Sequence, residues 1–288
     1  MSGAFGEETR KQALLQDLRD EGAVYQLWAT QNAFEGDLSP IARDFDLHPA
    51  FVRIMPVLGA YGGDGAKAFY LAAIEALPVG GDAVTALRRW FLFAWDEPTW
   101  GLSLKLTDTP LLADAQAIID LVRTSIDAPV DKGTWRAARG RLVAAQAAAG
   151  LNTDLTDAVL SMAWNLDQTP GAAGDVVNSW SGPILWGAYA DDEDQLTEQE
   201  GEILNQHMRK AHEAAVAELG ELKQDAETFA AYERITQAFW DQNPQAKAIR
   251  QRQAAQRERA QAKVAAWRVV AQRALVGHLA AAPTAVAG

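Results

Sequence analysis

The chain has 288 residues, 49% of them hydrophobic and 22% charged, with a formal net charge of −12. This balance is typical of a globular protein with its own core and excludes an intrinsically disordered chain. Because the chain has no cysteine, disulfides, zinc–thiolate sites, iron–sulfur clusters and thiol nucleophiles are excluded. The negative charge disfavours non-specific nucleic-acid binding, and the longest apolar run is too short to cross a membrane.

The N-terminal residues 1–63 predict a small helical region. Leucines at helical spacing predict a first helix over 7–34. A Ser-Pro and a His-Pro pair then predict a second helix that ends near 47 and a third over 51–58. Glycines after the third helix end the region. Ala, Leu, Gln, Glu and Arg, which favour helices, dominate here and in most later segments.

Residues 39–55 have the spacing of a helix-turn-helix, with Ile41, Leu47 and Val52 at apolar positions. A DNA-binding element would need an exposed basic face on the second helix. The turn position holds Asp46 instead of glycine, and other acids nearby would repel phosphate. Two packed short helices give the same pattern, so both interpretations stay open.

Residues 64–190 predict a central, Trp-rich helical domain, made of helix pairs of similar length in a bundle or in stacked hairpins. The segment 83–95 is apolar on nearly every side, which is typical of a helix at the centre of its domain. We therefore expect Trp90 to be buried. A run of four acids at 191–194 marks the end of this domain.

Residues 191–279 predict a unit of long helices, followed by a disordered tail over 280–288. A capping box formed by Thr197 and Glu200 opens the first of these helices, and an Asn-Pro pair opens the last, over 244–279. The fold class is therefore all-α: a multi-helix bundle or stacked helical hairpins with a long-helix C-terminal unit.

The two parts of this C-terminal unit carry opposite charge. Residues 191–233 carry −10 and residues 245–288 carry +7. We expect the basic helix to dock on the acidic segment as a clasp, held by an apolar stripe that includes Trp267 and Leu275. The alternative is a free basic arm that binds an acidic partner, nucleic acid or an anionic membrane. The long helices also offer a surface for self-association.

The histidines do not predict a metal site. His207 and His212 lie five residues apart on one helix, whereas a zinc-binding pair needs a four-residue step so that both rings share a face. A five-residue step turns the second ring by about 140°. A Glu-x-x-His motif is also missing from the sequence. We therefore expect neither a metal nor a cofactor.

Four of the ten tryptophans flank predicted loops. The segment from Trp95 to Trp100 places two acids between two aromatic rings, a pattern that fits a cleft for a cation or a sugar. The candidate ligand- or partner-binding residues are Trp95, Asp96, Glu97, Trp100, Trp180 and Trp186. The alternative is an acidic loop anchored by buried tryptophans. We predict no catalytic residue, because the sequence has no Gly-x-Ser-x-Gly nucleophile elbow and its glycine-rich segments lack the Gly-Lys-Ser/Thr ending of a phosphate loop.

A set of short motifs runs through the central domain. They are Phe69-Tyr-Leu, Ala76-Leu-Pro, the aromatic helix around Trp90, Ala113-Asp-Ala-Gln-Ala, Trp135-Arg-Ala-Ala, Ala147-Ala-Ala-Gly and Trp180-Ser-Gly. On these motifs, residues 69–182 resemble an uncharacterised all-helical bacterial domain family of unknown function. Some of its members are associated with type VI secretion or bacterial conflict loci. The resemblance implies a helical fold and brings no catalytic residues with it.

The leading functional prediction is a noncatalytic protein–protein interaction protein, an adaptor or immunity-like factor of a bacterial secretion or conflict system. The first alternative is an enzyme or small-ligand binder with a Trp- and acid-lined cleft, and the second is a helix-turn-helix DNA-binding regulator. We expect another protein as partner, without membrane insertion. The sequence does not start with a signal peptide, so we expect a cytoplasmic protein.

Overall fold

The computed structural model describes residues 3–30, 37–107, 109–150, 154–220, 223 and 225–284, apart from the side chains of 154 and 155. Fourteen α-helices and one isolated β-bridge form the regular structure of these residues, which confirms the all-α fold class. The first seven helices are α1 (Glu8–Arg19), α2 (Ala23–Trp28), α3 (Ser39–Asp44), α4 (Pro49–Leu58), α5 (Ala66–Ala76), α6 (Ala83–Asp96) and α7 (Leu102–Leu106). The other seven are α8 (Leu112–Asp127), α9 (Lys132–Ala149), α10 (Asp154–Met162), α11 (Ala172–Ala190), α12 (Glu198–Leu219), α13 (Ala226–Asp241) and α14 (Pro244–Ala280).

The chain divides into two compact units. Unit 1 comprises Met1–Ile184 and Ala265–Gly288, and unit 2 comprises Leu185–Val264. These units differ from the segments expected from the sequence: α1 packs against α5 within unit 1, and the last part of α14 also belongs to unit 1. None of the described helices combines the length and the apolarity that crossing a bilayer requires.

Three buried tryptophans from three helices form the centre of unit 1. The ring centroid of Trp180 in α11 lies 5.8 Å from that of Trp90 and 5.1 Å from that of Trp267, both with edge-to-face geometry. The indole N–H of Trp90 in α6 donates to the carbonyl oxygen of Ala271 in α14, at 2.8 Å. Edge-to-face contacts stabilise a core beyond the burial of area. The predicted burial of Trp90 is confirmed.

Segments near both ends of the described chain pair with one loop of unit 1. Ala4 exchanges two backbone hydrogen bonds with residues 80–81 of this loop. On the other side, the N–H of Asp82 donates to the carbonyl oxygen of Pro283 at 2.9 Å, and Thr284 forms an antiparallel bridge with the loop. The same aspartate accepts two N–H groups of the first turn of α6 and so caps that helix.

The disordered tail expected over 280–288 is wrong for the part that the structure describes. Ala282 is 7% exposed, and the carbonyl oxygen of Ala281 accepts a hydrogen bond from Arg89 at 3.0 Å. Backbone pairing with the loop also holds Pro283 and Thr284 in place. Residues 285–288 lie outside the described residues.

The single helix expected over 7–34 is wrong, because three residues separate α1 from α2. The carboxylate of Asp17 accepts two N–H groups at the start of α2, at 3.0 and 3.2 Å, and so caps that helix. A Cβ atom at Gly22 would collide with this carboxylate, so a larger residue there would displace the group that caps α2. Residues 31–36 lie outside the described residues.

Helix α4, the second helix of the helix-turn-helix pattern, is buried instead of exposed. Its only charged side chain is the half-buried Arg53. The residues that would read DNA have no solvent exposure; they are Phe51, Val52, Ile54 and Met55. The exposed basic face that DNA binding needs is therefore not present on α4, and the structure favours the interpretation of two packed helices.

In unit 2, α12 and α13 form a helical hairpin that packs with the first part of α14. Its buried cluster contains Leu204, Ala211, Trp240, Ala246 and Ile249. The predicted capping box is confirmed, since the Thr197 side chain accepts the N–H of Glu200 and the Glu200 carboxylate accepts the N–H of Thr197. Glu200 also forms an ion pair with Arg252 of α14.

The predicted clasp is correct in its charges and wrong in the location of its apolar stripe. Arg259 of α14 donates to both carboxylate oxygens of Asp192, at 2.8 and 2.9 Å, and to Asp194 at 3.1 Å. These ion pairs lie within unit 2. Trp267 and Leu275, however, are fully buried in unit 1 and not on the acidic segment.

Candidate functional site

Four of the six residues predicted as a site stabilise the loop after α6 or the core. Trp95 is 2% exposed and Trp180 is 1% exposed, and the indole N–H of Trp180 donates to the carbonyl oxygen of Trp100 at 2.7 Å. The Glu97 carboxylate accepts the N–H of Thr99 at 2.8 Å and also that of Trp100. Glu97, Trp100 and Trp180 therefore lie together, and their hydrogen bonds fix the loop to the core.

The other two predicted residues do not join this group. Asp96 is exposed at the end of α6. Trp186 is 62% exposed and belongs to unit 2, where its ring lies 6.1 Å from that of Tyr189. A ligand cleft built on all six residues stays a prediction, and the geometry in unit 1 fits the alternative of an acidic loop anchored by buried tryptophans.

A groove of about 650 Å³ lies elsewhere in unit 1. Three helices and the turn after α10 line this α9–α11 groove. The lining residues are Arg136, Arg139, Gly140 and Val143 of α9, Asp157, Leu160 and Ser161 of α10, Trp164 of the turn, and Asp175, Asn178 and Ser179 of α11.

The lining residues share one spacing along the chain. From Arg136 to Val143 they follow the i, i+3, i+4, i+7 pattern of one helix face. Asp157, Leu160 and Ser161 follow the first three steps of this pattern on α10, which ends before Trp164. Asp131 begins α9 by accepting the N–H of Thr134 at 3.0 Å. A different face of α9 points to the core, with Ala138, Leu142 and Gln146 as its buried residues.

Trp164 is a fixed and partly exposed aromatic ring in this groove. The guanidinium carbon of Arg139 lies 4.2 Å from the centroid of the Trp164 ring, and Nη1 of Arg139 donates to the carbonyl oxygen of Ala163 at 2.7 Å. Stacking of a guanidinium on an indole is favourable and holds both groups in place. Trp164 nevertheless keeps 46% of its surface exposed, so the ring offers an apolar surface to a ligand.

Two charged side chains of the groove, Arg139 and Asp175, lose part of their solvation. Within the described residues, neither Arg136 nor Arg139 forms an ion pair. Burial, followed by repulsion from Arg136, lowers the pKa of Arg139. Burial also raises the pKa of Asp175 in α11. A ligand with charges opposite to these would reduce the cost of desolvation.

The groove has the chemistry of a binding surface. Its hydroxyl groups belong to Ser161 and Ser179, and no histidine, lysine or tyrosine is among its lining residues to activate them. What the lining offers is an aromatic ring, aliphatic side chains and charges of both signs. Such a lining can bind a ligand through apolar contacts, hydrogen bonds and ion pairs.

A smaller cavity of about 180 Å³ lies beside the loop that pairs with both chain ends. Nδ1 of His48 accepts the N–H of Ala50 at 3.1 Å, and Nε2 lies 3.0 Å from a carboxylate oxygen of Asp167. Because Nδ1 is an acceptor, the ring proton of neutral His48 sits on Nε2 and is donated to Asp167. Both ring nitrogens are therefore engaged, and His48 acts as a helix cap.

The two histidines of α12 make protein contacts. Nδ1 of His207 lies 2.8 Å from the carbonyl oxygen of Ile203, and Nδ1 of His212 lies 3.1 Å from the hydroxyl of Tyr232. Within the part of the chain that the structure describes, no group of three or more His, Asp or Glu side chains has the arrangement of a metal site.

Comparisons with known protein families, with curated proteins and with solved structures find no match to this chain. The resemblance of residues 69–182 to a bacterial domain family therefore stays an expectation.

Sequence reasoning did not single out Arg139 or Trp164. A partial signal was nevertheless present, since α9 and α10 each carry lining residues at i, i+3 and i+4 with polar and apolar side chains mixed on one face. A core stripe would be uniformly apolar. A mixed stripe on neighbouring helices therefore indicates a surface that is only partly covered.

Proposed function

We propose that this protein is a noncatalytic interaction protein that binds a helical segment of a partner protein in the α9–α11 groove. The observation that carries the proposal is the ring of Trp164, held by Arg139 and still 46% exposed inside the groove. Partly exposed aromatic side chains beside an arginine are typical of the residues that dominate binding energy at protein interfaces.

A helix is the favoured form of the bound segment. Strand addition needs a free sheet edge, and the described residues contain one isolated bridge and no sheet. Recognition of a polyproline helix uses grooves lined by several aromatic rings, whereas Trp164 is the one aromatic residue in this lining. Helical stripes on α9 and α10 instead offer ridges between which another helix can pack.

A small-molecule binder is the second candidate function. The groove volume of about 650 Å³ lies within the range of about 300–1,000 Å³ that is usual for small-molecule sites. A thermal-shift screen with small molecules tests it: stabilisation of the wild-type protein that Trp164→Ala abolishes would favour this candidate over a protein partner.

Selection of peptides on the full-length chain tests the leading proposal. A displayed library of amphipathic helical peptides is enriched on the immobilised protein, and the binders are measured by fluorescence anisotropy. We expect Trp164→Ala to weaken them about 30-fold, the effect of a tryptophan that contributes about 2 kcal/mol.

The matched control is Trp186→Ala, which removes another exposed indole from unit 2 and should leave the affinity unchanged. Far-UV circular dichroism checks that both variants are folded. A library that yields no binder sensitive to Trp164→Ala would contradict the proposal.

The biological setting is a separate part of the proposal. An adaptor or immunity-like role in a bacterial secretion or conflict system, in the cytoplasm, is supported by the resemblance of residues 69–182. Purification of the tagged protein from its native cell, beside its Trp164→Ala variant, tests this setting. The proposal requires secretion or toxin components that the wild type retains and the variant loses.

A further inference from the structure

The charges of the α9–α11 groove are separated by helix. Both positive charges, Arg136 and Arg139, belong to α9, whereas the negative charges, Asp157 and Asp175, belong to α10 and α11. Asp157 already has an interaction within the chain. Asp175 makes no ion pair within the described residues, so this carboxylate remains for a ligand.

The α9 side can bind a carboxylate without giving up its present contacts. A guanidinium has five N–H donors, and Arg139 donates through Nη1 to Ala163. Its other donors remain for a ligand. Arg136 is exposed one helical turn away on the same face, so both arginines can reach a single acidic side chain.

A uniformly charged partner does not fit this groove. An acidic helix would be attracted by α9 and repelled by Asp175, and a basic helix would meet the reverse arrangement. The lining has two positive and two negative groups, although the whole chain carries −12. Charge complementarity therefore requires a ligand with both negative and positive side chains, placed on opposite sides of its apolar contact with Trp164.

We infer that the partner segment is an amphipathic helix whose apolar stripe is flanked by acidic residues on the side of Arg136 and Arg139 and by basic residues on the side of Asp175. The inference rests on the proposed function. It also assigns a single direction to the bound helix, because turning the helix end for end exchanges its two flanks.

A library with a fixed apolar stripe and randomised flanks tests the inference. We expect selection on the full-length wild-type chain to enrich Asp or Glu on one flank and Lys or Arg on the other. Arg136→Glu in the protein should weaken binding of the purified peptides about tenfold, because it places a glutamate against their acidic flank. Changing the acidic flank of the peptide to lysine should restore binding to Arg136→Glu and weaken binding to the wild type.

Lys105→Glu is the matched control, since Lys105 is exposed, lies outside the groove lining and undergoes the same change of charge. It should not alter the affinity. Asp175→Lys should weaken binding of the same peptides, because it places a positive charge beside their basic flank. Changing that flank to glutamate should restore binding to Asp175→Lys. Arg136 is exposed and takes part in no ion pair within the described residues, so its reversal is compatible with folding.

The outcomes separate this inference from the proposed function. Binders that are lost with Trp164→Ala but show no flank preference and no rescue by charge exchange would overturn the inference and leave the groove as a docking site. An absence of any binder sensitive to Trp164→Ala would overturn both. Enrichment of one charge sign on both flanks would also overturn the inference.

Discussion

Trp90 contributes both packing and a hydrogen bond to unit 1. Its ring contacts Trp180, and its indole N–H donates to Ala271. Trp90→Ala should lower the free energy of unfolding by about 3–5 kcal/mol, because truncation of a large buried aromatic side chain leaves a cavity. Urea unfolding followed by far-UV circular dichroism measures the change.

The control for this prediction is Trp186→Ala. The indole of Trp186 is 62% exposed, so the same truncation should change the free energy of unfolding by no more than about 0.5 kcal/mol. If Trp90→Ala lowers the free energy of unfolding by less than about 1 kcal/mol, the ring is not a tightly packed part of the core.

The ion pair of Asp192 and Arg259 predicts a loss of stability in acid. Hydrogen bonding from Arg259 lowers the pKa of Asp192 to about 2, from an ordinary value of 3.8. Because the pKa is lower in the folded state than in the unfolded state, the stabilisation is complete above about pH 4 and is lost as the pH falls through about 2. Wild-type protein should therefore lose more stability than Asp192→Asn over this range, as measured by thermal unfolding at a series of pH values.

Asp194→Asn is the control for the acid prediction. Asp194 accepts one hydrogen bond from Arg259, at 3.1 Å, and its side chain is 63% exposed. Exposed ion pairs contribute little to stability. The pH dependence of this variant should follow that of the wild type, and a variant that behaved like Asp192→Asn would contradict the assignment to Asp192.

At the scale of elements, α14 should divide into two parts in hydrogen exchange. The side chains of Trp267, Ala271, Leu275 and Leu279 are fully buried in unit 1, so amides over 267–279 should exchange only through large-scale opening. Amides over 250–263 belong to unit 2, where most side chains of this helix are exposed, and should exchange faster. Mass spectrometry of the isolated protein measures both segments.

Equal, rapid exchange along the whole of α14 would contradict this division and favour the free basic arm. A second exchange experiment, with an acidic ligand added, distinguishes a free arm from a docked segment. If the arm is free, an acidic polypeptide such as polyglutamate should slow exchange over 247–273, where the basic residues of α14 lie. A docked segment over 267–279 is instead protected before any ligand is added.

Individual elements could be predicted from the sequence where the residues that determine them are close together in the chain. The Thr197 capping box and the apolar segment around Trp90 are examples, because a cap uses residues three apart and a central helix is apolar on nearly every side. The break after α1 was missed, since it depends on a contact between Asp17 and the start of α2. Gly22 was its only local sign.

At the scale of the whole molecule, residues 280–284 should contribute to the stability of unit 1. Asp82 donates to Pro283, Arg89 donates to Ala281, and Ala282 is buried. A chain that ends at Leu279 should have a lower melting temperature, by about 2–4 °C for each kcal/mol lost in a protein of this size. Differential scanning calorimetry measures the shift.

Pro283→Ala is the control for the truncation. It keeps the carbonyl oxygen that accepts the N–H of Asp82, so the melting temperature should stay close to that of the wild type. If the truncated chain melted at the wild-type temperature, the pairing of the C-terminal segment with this loop would not contribute to stability.

The helices of the candidate groove could be predicted from the sequence, and their mixed stripes indicate partly covered faces, but the groove that these faces form together could not be predicted. Periodicity identifies a face of α9 or α10, but it does not tell which face another helix will cover. Arg139 and Trp164 meet only because α9 packs against α10. The docking of residues 281–284 was also hidden, because most of its contacts are backbone hydrogen bonds that carry no side-chain signature.

The three tryptophans at the centre of unit 1 also have an optical consequence. Trp90, Trp180 and Trp267 come from three helices that are far apart in sequence, and neighbouring rings are inclined at 68° and 85°. The excited states of indoles this close and inclined to one another couple, which gives a circular-dichroism signal in the aromatic region. Each pair keeps its signal only while its two helices are docked, and Trp180 of α11 belongs to both pairs. The chain therefore contains a spectroscopic reporter that distinguishes native packing from a compact state with helices but no fixed core.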